Sequence, residues 1–299
     1  MTVLVVGSVA FDSIETPHGK RDKCLGGSAS YFGLAARLFT PVQLVSVVGE
    51  DFPADYRQLL AGAGVDVSGL EGKKGKTFAW SGRYSADMNV RETLHVELNT
   101  FGGFAPQVPE AYRATRFLFL ANGSPATQAS VLDQIRDPRF VVADTMNLWI
   151  DNEKDALLSL LRRVDGLILN DEEARMLTGE SNLIRAGERV LALGPKLVIL
   201  KKGEHGAFLF STFFQFALPA YPTAVVVDPT GAGDSFAGGF MGYLAGQGTL
   251  NVGHMKRAIA YGTVTASVTV EGFGVDTIAA CDREQIERRY ADLMQFVAM

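Results

Sequence analysis

Short apolar runs recur along the chain between segments whose apolar residues return every three to four positions. Several of these runs consist mainly of Val and Leu without alternating polar residues, which is typical of strands covered on both faces. They predict strands at residues 3–6, 42–48, 117–121, 140–143, 166–169, 197–200 and 224–227. The periodic segments predict helices at residues 29–39, 54–62, 126–136, 172–177 and 186–193. Strands that alternate with helices in this way predict an α/β fold, arranged as a three-layer α/β/α sandwich.

Residues 77–98 follow a different pattern, in which apolar and polar residues alternate on either side of a polar turn at 85–91. This alternation predicts a β-hairpin with one apolar face, formed by Phe78, Trp80, Tyr84, Leu94, Val96 and Leu98. Such a hairpin is not stable alone in water, so its apolar face must cover another surface. The sequence leaves open whether that surface is the edge of the sandwich, a substrate or the same hairpin of a second subunit.

Composition limits the classes of protein to which the chain can belong. Its 299 residues, 47% of them hydrophobic, are enough for one large α/β domain or for two smaller ones. A net charge of −5 and a pI near 5.5 argue against binding to nucleic acid or to an anionic membrane surface. No apolar stretch approaches the ~20 residues of a membrane span, and the first residues lack the basic region of a signal peptide.

The cysteine and histidine residues bear on the cellular compartment and on metal binding. Cys24 and Cys281 form no spaced motif and suggest a reducing environment, which predicts a cytoplasmic protein. The four histidines lie far apart in the sequence, which argues against a zinc site.

The most informative segment is Asp228-Pro-Thr-Gly-Ala-Gly-Asp-Ser-Phe-Ala-Gly-Gly-Phe240, between the predicted strand at 224–227 and a predicted helix at 235–246. A glycine-rich turn that leads into a helix forms an anion site, because free backbone N–H groups and the helix dipole face the same point. The expected donors are the N–H groups of Gly231, Ala232 and Gly233. An acid in such a turn, here Asp234, suits a general base that deprotonates an attacking hydroxyl group. The segment therefore predicts a phosphoryl-transfer site.

Two other interpretations of this segment compete with that prediction. A Gly-Ala-Gly-Asp run also forms tight turns in which the Asp is an ordinary N-terminal helix cap, and the turn alone leaves this alternative open. A dinucleotide-binding loop needs a third glycine at position 236, where this chain has Phe236, so that interpretation is disfavoured.

Further candidate residues follow the first strand, where ligands of open α/β sheets bind. Asp12 is placed to accept hydrogen bonds from sugar hydroxyl groups, although a simple turn also explains an acid at this position. Gly26-Gly27 precedes the first helix and permits either close approach of a ligand to the backbone or merely a sharp helix entry.

Two more motifs have both a structural and a functional explanation. Asn170 and Glu173 have the spacing of a capping box, and also that of a pair holding water around Mg²⁺ on ATP phosphates. Lys202-Gly203 lies in a turn between two strands, where it contacts a nucleotide or serves only as a hairpin turn.

Together these motifs resemble the signature of the pfkB, or ribokinase-like, family of sugar and nucleoside kinases. The resemblance runs from Gly7-Ser8 with Asp12, through Gly26-Gly27, Asn170 with Glu173 and Lys202-Gly203, to the segment 228–240. It covers essentially the whole chain, the motifs occur in family order, and the last of them is highly specific. The resemblance implies one ribokinase-like kinase domain over residues 1–299, with a small β-sheet lid at about 12–24 and 77–98.

The resemblance also implies an activity, the transfer of the γ-phosphate of ATP to a hydroxymethyl group of a sugar or nucleoside. Asp234 matches the catalytic base, and Gly231, Ala232 and Gly233 match the anion hole. The positions that match acceptor-binding residues of the family are Asp12, Gly26 and Gly27. Those assigned to the nucleotide, Mg²⁺ and phosphates are Asn147, Asn170, Glu173, Lys202, Gly203 and Thr230.

The resemblance carries expectations about ions and assembly as well. Mg²⁺ is expected to be held through Glu173 and water rather than by a direct cluster of protein ligands. A monovalent cation such as K⁺ is expected near Asp228, Thr230 and residues 267–274, and a homodimer is expected to form through the lid.

One position departs from the family. Many ribokinases, fructokinases and adenosine kinases carry Asn five positions after the first glycine of the Gly-Gly motif, to hold sugar hydroxyl groups, whereas this chain has Tyr31. A tyrosine offers one hydroxyl group and a broad ring in place of an amide. We expect Tyr31 in the acceptor site, with either an altered sugar or a substrate on which its ring stacks.

The favoured hypothesis is therefore an ATP-dependent sugar kinase. A nucleoside kinase of the same fold, with Phe78 and Trp80 stacked on the base, is one alternative. A non-catalytic protein that binds a nucleotide or a sugar is another, and the intact Asp234 argues against it. A dehydrogenase is the weakest hypothesis.

Overall fold

The structure, a computed structural model, describes residues 1–298, which form thirteen strands and eleven α-helices. The strands are β1 (Val3–Val6), β2 (Ala10–Thr16), β3 (Gly19–Gly26), β4 (Val42–Val48), β5 (Val65–Gly72), β6 (Ala79–Tyr84), β7 (Arg91–Glu97), β8 (Phe117–Leu120), β9 (Phe140–Asp144), β10 (Gly166–Asn170), β11 (Leu197–Lys201), β12 (Ala207–Ser211) and β13 (Gln215–Leu218). The helices are α1 (Ser28–Ala36), α2 (Ala54–Gly62), α3 (Pro125–Leu132), α4 (Asn147–Asn152), α5 (Lys154–Leu161), α6 (Asp171–Thr178), α7 (Leu183–Ala192), α8 (Ala232–Gln247), α9 (Val252–Thr269), α10 (Asp276–Ala280) and α11 (Arg283–Val297). Of the helices within residues 1–298, none is both long enough and apolar enough to span a membrane.

Nine of the strands form one large sheet, in the order β13-β12-β11-β10-β9-β8-β1-β4-β5. The pairings from β11 to β5 are all parallel, and β12 is antiparallel to both of its neighbours. The chain adds β4 and β5 on one side of β1 and then β8 to β11 on the other, so the strand order reverses at β1. Ligands of open α/β sheets bind at the carboxyl ends of the strands near such a reversal.

The central strand shows why the sheet has a layer of helices on each face. Val3 and Val5 pack into the core beside α1, α8 and α9, whereas Leu4 and Val6 pack into the core beside α3, α5 and α7. Because successive side chains of a strand point to opposite faces, a strand covered on both sides is apolar throughout. The predicted three-layer α/β/α sandwich is confirmed.

A separate four-stranded sheet forms the lid, in the order β3-β2-β6-β7. Strands β2 and β3 form one antiparallel hairpin and β6 and β7 form another, and the parallel pairing of β2 with β6 joins them. The small β-sheet lid that the family resemblance implies is therefore present. Its first segment, expected at about 12–24, is a hairpin of two strands.

A bulge in the second hairpin changes which side chains face the site. Thr93 and His95 pair with the adjacent residues Gly82 and Ser81, so Leu94 is an extra residue in β7. Beyond the bulge, Arg91 pairs with Tyr84, and directly opposed residues share a face. The predicted single apolar face is thus interrupted, and the side chains at its edge remain uncovered in the single chain: Leu94 is 45%, Val96 48% and Leu98 39% exposed.

The strand predicted at residues 224–227 is wrong, because these residues form an irregular connection between β13 and α8. Val225 is exposed, and the N–H groups of Val227 and Asp228 donate to the carbonyl oxygen of Val270, at 2.7 and 3.2 Å. Val270 follows the last turn of α9. These backbone groups pair with a helix end instead of a strand, which explains why an apolar run joins no sheet here.

Glycines let α8 lie directly against the backbone of α1. A methyl group on Gly238 would lie 2.4 Å from the carbonyl oxygen of Phe32. A methyl group on Gly242, one turn further along, would lie 2.8 Å from the backbone of Ala36. Four residues further along α8, the contact lies four residues further along α1, so the two helices run in the same direction. Their amino ends therefore lie side by side.

Candidate active site

The carboxyl ends of the parallel strands meet the amino ends of α1 and α8, and several polar side chains gather there. Asp144 ends β9, Asn170 ends β10 and Lys201 ends β11. Asp12 lies in β2 of the lid, and Asp234 lies in the first turn of α8. The charge of Asp234 acts on both Asp12 and Lys201. The structure therefore brings the lid, the sheet and α8 together at one site.

The loop before α8 is shaped to bind an anion. Gly231 is the N-cap residue and has a left-handed backbone, with a φ of 75°. A methyl group there would lie 2.3 Å from the ring of Tyr31, so both the conformation and the contact require glycine. The N–H of Ala232 donates to the carbonyl oxygen of Pro229, whereas nothing within residues 1–298 accepts from the N–H groups of Gly231 and Gly233. These two N–H groups and the dipole of α8 form the anion site.

Asp234 has the electrostatic properties of a general base. Although part of its side chain is open to the site, burial and then the nearby carboxylate of Asp144 raise the pKa of Asp234 to about 7. The positive charges of Lys201 and Arg91 act against this rise. A carboxylate with a pKa near neutral pH is able to take the proton of a hydroxyl group and later release it.

Asp12 and the two glycines before α1 form one wall of the site. A methyl group on Gly26 would lie 1.9 Å from Oδ2 of Asp12, so the carboxylate lies directly against the backbone there. Gly27 is the N-cap residue of α1 with a φ of 90°, and a methyl group on it would lie 2.5 Å from the carbonyl oxygen of Ser8. Burial raises the pKa of Asp12 to about 7, and the charges of Asp228 and Asp234 add to this rise.

Tyr31 lies beneath the anion loop. The side chain is 1% exposed, its ring contacts Gly231, and its hydroxyl group has no hydrogen-bond partner in the described part of the chain. Burial, followed by the charges of Asp12 and Asp228, raises the pKa of Tyr31 well above its usual range. The residue therefore supports the loop from α1, and its unpaired hydroxyl group is buried near Asp12 and Asp228.

Asn170 and Glu173 form the capping box that their spacing predicts. Oδ1 of Asn170 accepts from the N–H of Glu173, and Oε2 of Glu173 accepts from the N–H of Asn170, both at 2.7 Å. Burial raises the pKa of Glu173 to about 7, with Asp144 adding to the rise and Lys201 opposing it. A helix cap does not require a buried carboxylate beside another acid, here Asp144. Capping alone therefore does not explain why Glu173 is at this position.

The remaining predicted nucleotide residues lie at the rim of the site. The ammonium group of Lys202 lies 3.7 Å from the centre of the Phe208 ring. Gly203, with a φ of 54°, is exposed in the turn after β11, and Asn147 is half-buried at the start of α4. The sequence motif predicts Lys202 and not Lys201 as a site residue, although a lysine that ends an otherwise apolar strand, as Lys201 does, is a usable signal for one.

The β6–β7 hairpin closes over this site. Oγ1 of Thr230 donates to the hydroxyl oxygen of Tyr84 at 3.1 Å, which joins the hairpin to the anion loop. At its tip, Nδ2 of Asn89 donates to Oε1 of Glu204 at 3.3 Å. From the same hairpin, the guanidinium group of Arg91 lowers the pKa of Asp234. The hairpin therefore acts as a lid that contacts both the anion loop and the turn after β11.

Aromatic rings line a recess at the carboxyl ends of β1 and β8, where Phe101, Phe104 and Asn122 contribute to its wall. The rings of Phe101 and Phe104 stack with centroids 5.6 Å apart, and Phe78 stacks on Phe101 at the same distance. The ring of Trp80 lies instead along its own strand, over Gly82. A methyl group on Gly82 would be 2.3 Å from this ring. Of the two predicted stacking residues, only Phe78 stacks on these rings.

The raised pKa of Asp234 leads to a pH prediction. We expect kcat/KM for the acceptor to rise with pH up to about 7 and then level off, because Asp234 accepts the proton only when it is ionised. The measurement is the initial rate at subsaturating acceptor across this range. The residual rate of Asp234→Asn should lack the acidic limb. A wild-type profile that is flat through pH 7 would contradict the prediction.

Comparisons with known proteins agree with this geometry. The family described as pfkB family carbohydrate kinase matches residues 3–280. The cytidine kinase of Thermococcus kodakarensis is 32% identical over 253 residues, which cover 83% of this chain and 90% of that protein.

Solved structures show the same fold. Burkholderia thailandensis nucleoside kinase in complex with inosine superposes with a TM-score of 0.81 at 19% identity, over 98% of each chain. A ribokinase II from E. coli, solved in complex with ATP and Mg²⁺, superposes with a TM-score of 0.79 at 22% identity. That match covers 97% of this chain and 99% of the E. coli chain.

Proposed function

Since the chain belongs to the pfkB family of carbohydrate kinases, we propose that it transfers the γ-phosphoryl group of ATP to a hydroxymethyl group of a sugar-like acceptor. The observation that carries this proposal is Asp234, a base with a pKa near 7 beside the anion loop. The acceptor oxygen attacks the γ-phosphorus, its proton passes to Asp234, and the bond to the bridging oxygen breaks as ADP leaves. The N–H groups of Gly231 and Gly233 stabilise the charge on the group in transfer.

The acceptor is proposed to lie between the lid and the amino end of α1. Asp12 accepts hydrogen bonds from its hydroxyl groups, and Gly26 and Gly27 allow it to approach the backbone. Tyr31, whose ring contacts the anion loop from α1, limits the depth of this site. The lid excludes water, which would otherwise replace the acceptor and hydrolyse ATP.

The nucleotide is proposed to lie along the carboxyl ends of β9 to β11, contacted by Asn147, Asn170, Lys202, Gly203 and Thr230. Residues 1–298 contain no group of three or more His, Cys, Asp or Glu side chains that could hold a metal ion. A Mg²⁺ ion that enters on ATP fits this arrangement, because the buried carboxylate of Glu173 is able to bind it through water. The ion supplies positive charge to the phosphates. The E. coli ribokinase II solved with ATP and Mg²⁺ supports both ligands.

A monovalent cation such as K⁺ is proposed near Asp228. This carboxylate is completely buried, and no Lys or Arg within residues 1–298 forms a salt bridge with it. Among residues 1–298, the N–H groups of Thr230 and Gly274 donate to its two oxygens, both at 2.9 Å. A cation there would balance a buried charge that the described side chains leave uncompensated.

A ribonucleoside is the acceptor that we favour. Phe78, which stacks on Phe101 and is only partly buried, is the ring proposed to pack against the base. The similarity to a cytidine kinase at 32% identity supports the same class. A free sugar, favoured from the sequence, is the acceptor that experiment has to exclude.

The proposal is tested by measuring ADP release from Mg-ATP with a panel of nucleosides, pentoses, hexoses, sugar acids and phosphosugars. Turnover on a nucleoside at much lower concentration than on any free sugar would support the favoured acceptor. Turnover only on a sugar would keep the kinase and reject the nucleoside. ATP binding without turnover on any acceptor would indicate a non-catalytic binding protein. Replacing K⁺ by choline in the same assay tests the cation.

A homodimer is proposed to form through the exposed edge of the lid, where Leu94, Val96 and Leu98 are uncovered. We expect Val96→Asp to convert a dimer into a monomer, because a charge would be buried in the contact. Light scattering after size-exclusion chromatography measures the mass. The matched control is Val225→Asp, a comparably exposed valine outside the lid, which should remain dimeric. A wild-type protein that is monomeric at every concentration would reject the proposal.

The cytoplasm is the proposed location. Cys24 and Cys281 are both free thiols, as expected in a reducing compartment. Fractionation of the producing cells, with detection by antibody, measures the location. Recovery of the protein outside the cytoplasmic fraction would reject this part of the proposal.

A further inference from the structure

Lys201 is a charged residue of the site to which the proposed function gives no role. It ends β11, where it pairs with Asn170 at the end of β10. A methyl group on Gly233 would lie 2.7 Å from Nζ of Lys201, so the ammonium group lies directly beside the anion loop. The sheet therefore places a cation where α8 places its backbone donors.

Three carboxylates surround this ammonium group without pairing with it. Burial lowers the pKa of the lysine, but Asp144, Glu173 and Asp234 raise it by more, so the ammonium group stays charged. Within residues 1–298 none of the three is hydrogen-bonded to Nζ or lies within the 4.0 Å of a salt bridge. Nζ of Lys201, which is partly buried, thus has no protein acceptor, and the adjacent loop offers N–H donors for an anion. An oxygen of an anionic ligand would supply the missing acceptor.

We propose that Lys201 is a catalytic residue that binds a non-bridging oxygen of the γ-phosphoryl group of ATP. This inference rests on the proposed function and adds a residue to the same site. The ammonium group, the loop N–H groups and Asp234 converge on one point, which is where a phosphoryl group in transfer would lie. A fixed positive charge stabilises the negative charge on that group throughout the transfer. The cation Arg91 is exposed and belongs to the lid, whereas Lys201 belongs to the large sheet, so its position does not depend on the lid.

The test compares the binding of two nucleotides that differ in the γ-phosphate. Isothermal titration calorimetry measures the affinity for ADP and for the Mg²⁺ complex of the β,γ-methylene analogue of ATP. In Lys201→Met, the analogue should bind ~10- to 100-fold more weakly, as expected for loss of a charged hydrogen bond, with ADP affinity nearly unchanged. Lys201→Arg, which keeps the charge, should recover part of the difference. The control Lys196→Met removes an exposed lysine before β11, paired with Asp165 at 3.3 Å, and should change neither affinity.

Each other outcome overturns the inference. If Lys201→Met weakens both nucleotides equally, or neither, the lysine only balances the buried acids. If Lys201→Met does not fold, Lys201→Met/Asp144→Asn, which also removes a facing acid, is measured against the same criterion. A wild-type protein that binds neither nucleotide would reject the proposed function itself, and this measurement comes first.

Discussion

Replacing Asp234 by Asn is expected to lower kcat by ~10²–10⁴-fold, the contribution typical of a general base. The amide has nearly the shape of the carboxylate but cannot take the proton of the acceptor hydroxyl group. The affinity for ATP should persist, because the N–H groups of Gly231 and Gly233 are backbone groups that the substitution leaves in place. Turnover is measured by ADP release at saturating acceptor, and ATP binding by calorimetry.

The matched control for this variant is Asp282→Asn. Asp282 also lies at a helix amino end, where it caps α11 by accepting from the N–H of Gln285 at 2.8 Å. Asn is an equally good cap, so this variant should keep full activity. Loss of ATP binding together with turnover in Asp234→Asn would mean that Asp234 holds the loop together, and the assignment as base would then be rejected.

The same substitution is expected to stabilise the fold at neutral and higher pH. The pKa of Asp234 rises from 3.8 to about 7 on folding, so the folded protein binds more protons than the unfolded chain between these values. Ionisation of Asp234 therefore lowers the free energy of unfolding as pH rises through that interval. The amide in Asp234→Asn does not ionise, so the variant avoids this decrease. Its free energy of unfolding should exceed that of the wild type above pH 7 and differ little at acid pH. Urea unfolding at both pH values measures the effect.

Replacing Gly231 by Ala is expected to lower kcat/KM by ~10²-fold or more, the effect of losing one donor of an anion hole. An alanine at a φ of 75° is strained by ~1–2 kcal/mol, and its methyl group would lie 2.3 Å from the ring of Tyr31. The loop has to move to relieve the contact, which displaces its N–H groups. Initial rates and urea unfolding measure the two effects.

Gly248→Ala provides a control on the same helix. Gly248 is the C-cap residue of α8 with a φ of 64°, so its backbone strain would be similar. A methyl group there would meet only the flexible end of Met1, at 3.2 Å. This variant should lose about 1 kcal/mol of stability through its left-handed backbone and keep its activity. Equal losses of activity in the two variants would contradict the role of the anion loop.

The sandwich and the loop before α8 were predictable from sequence because both depend on local signals. Strands such as β1 are apolar at every position since both faces are covered, and this is visible without knowledge of the partner strands. The backbone conformation of the segment 228–240 is determined by glycines within the segment itself. Asp234 and the strand ends could therefore be located before the fold was known.

What the sequence could not indicate depends on contacts between distant segments. Residues 224–227 are as apolar as a strand, but their N–H groups pair with Val270 at the end of α9. The bulge at Leu94, which determines the face on which Arg91 lies, follows from pairing with β6. Lys201 belongs to the site only because Asp144, Glu173 and Asp234 come from three other elements.

The direct contact between α1 and α8 has a consequence for changes of substrate during evolution or engineering. Gly238 and Gly242 leave no side-chain layer between the helices, so substitutions in the core cannot adjust their spacing. The distance from the Gly26-Gly27 wall to the base is consequently fixed by main-chain contact. Acceptors of a different size have to be accommodated by the lid hairpins. Libraries designed to alter specificity should therefore vary those segments and leave the helix pair intact.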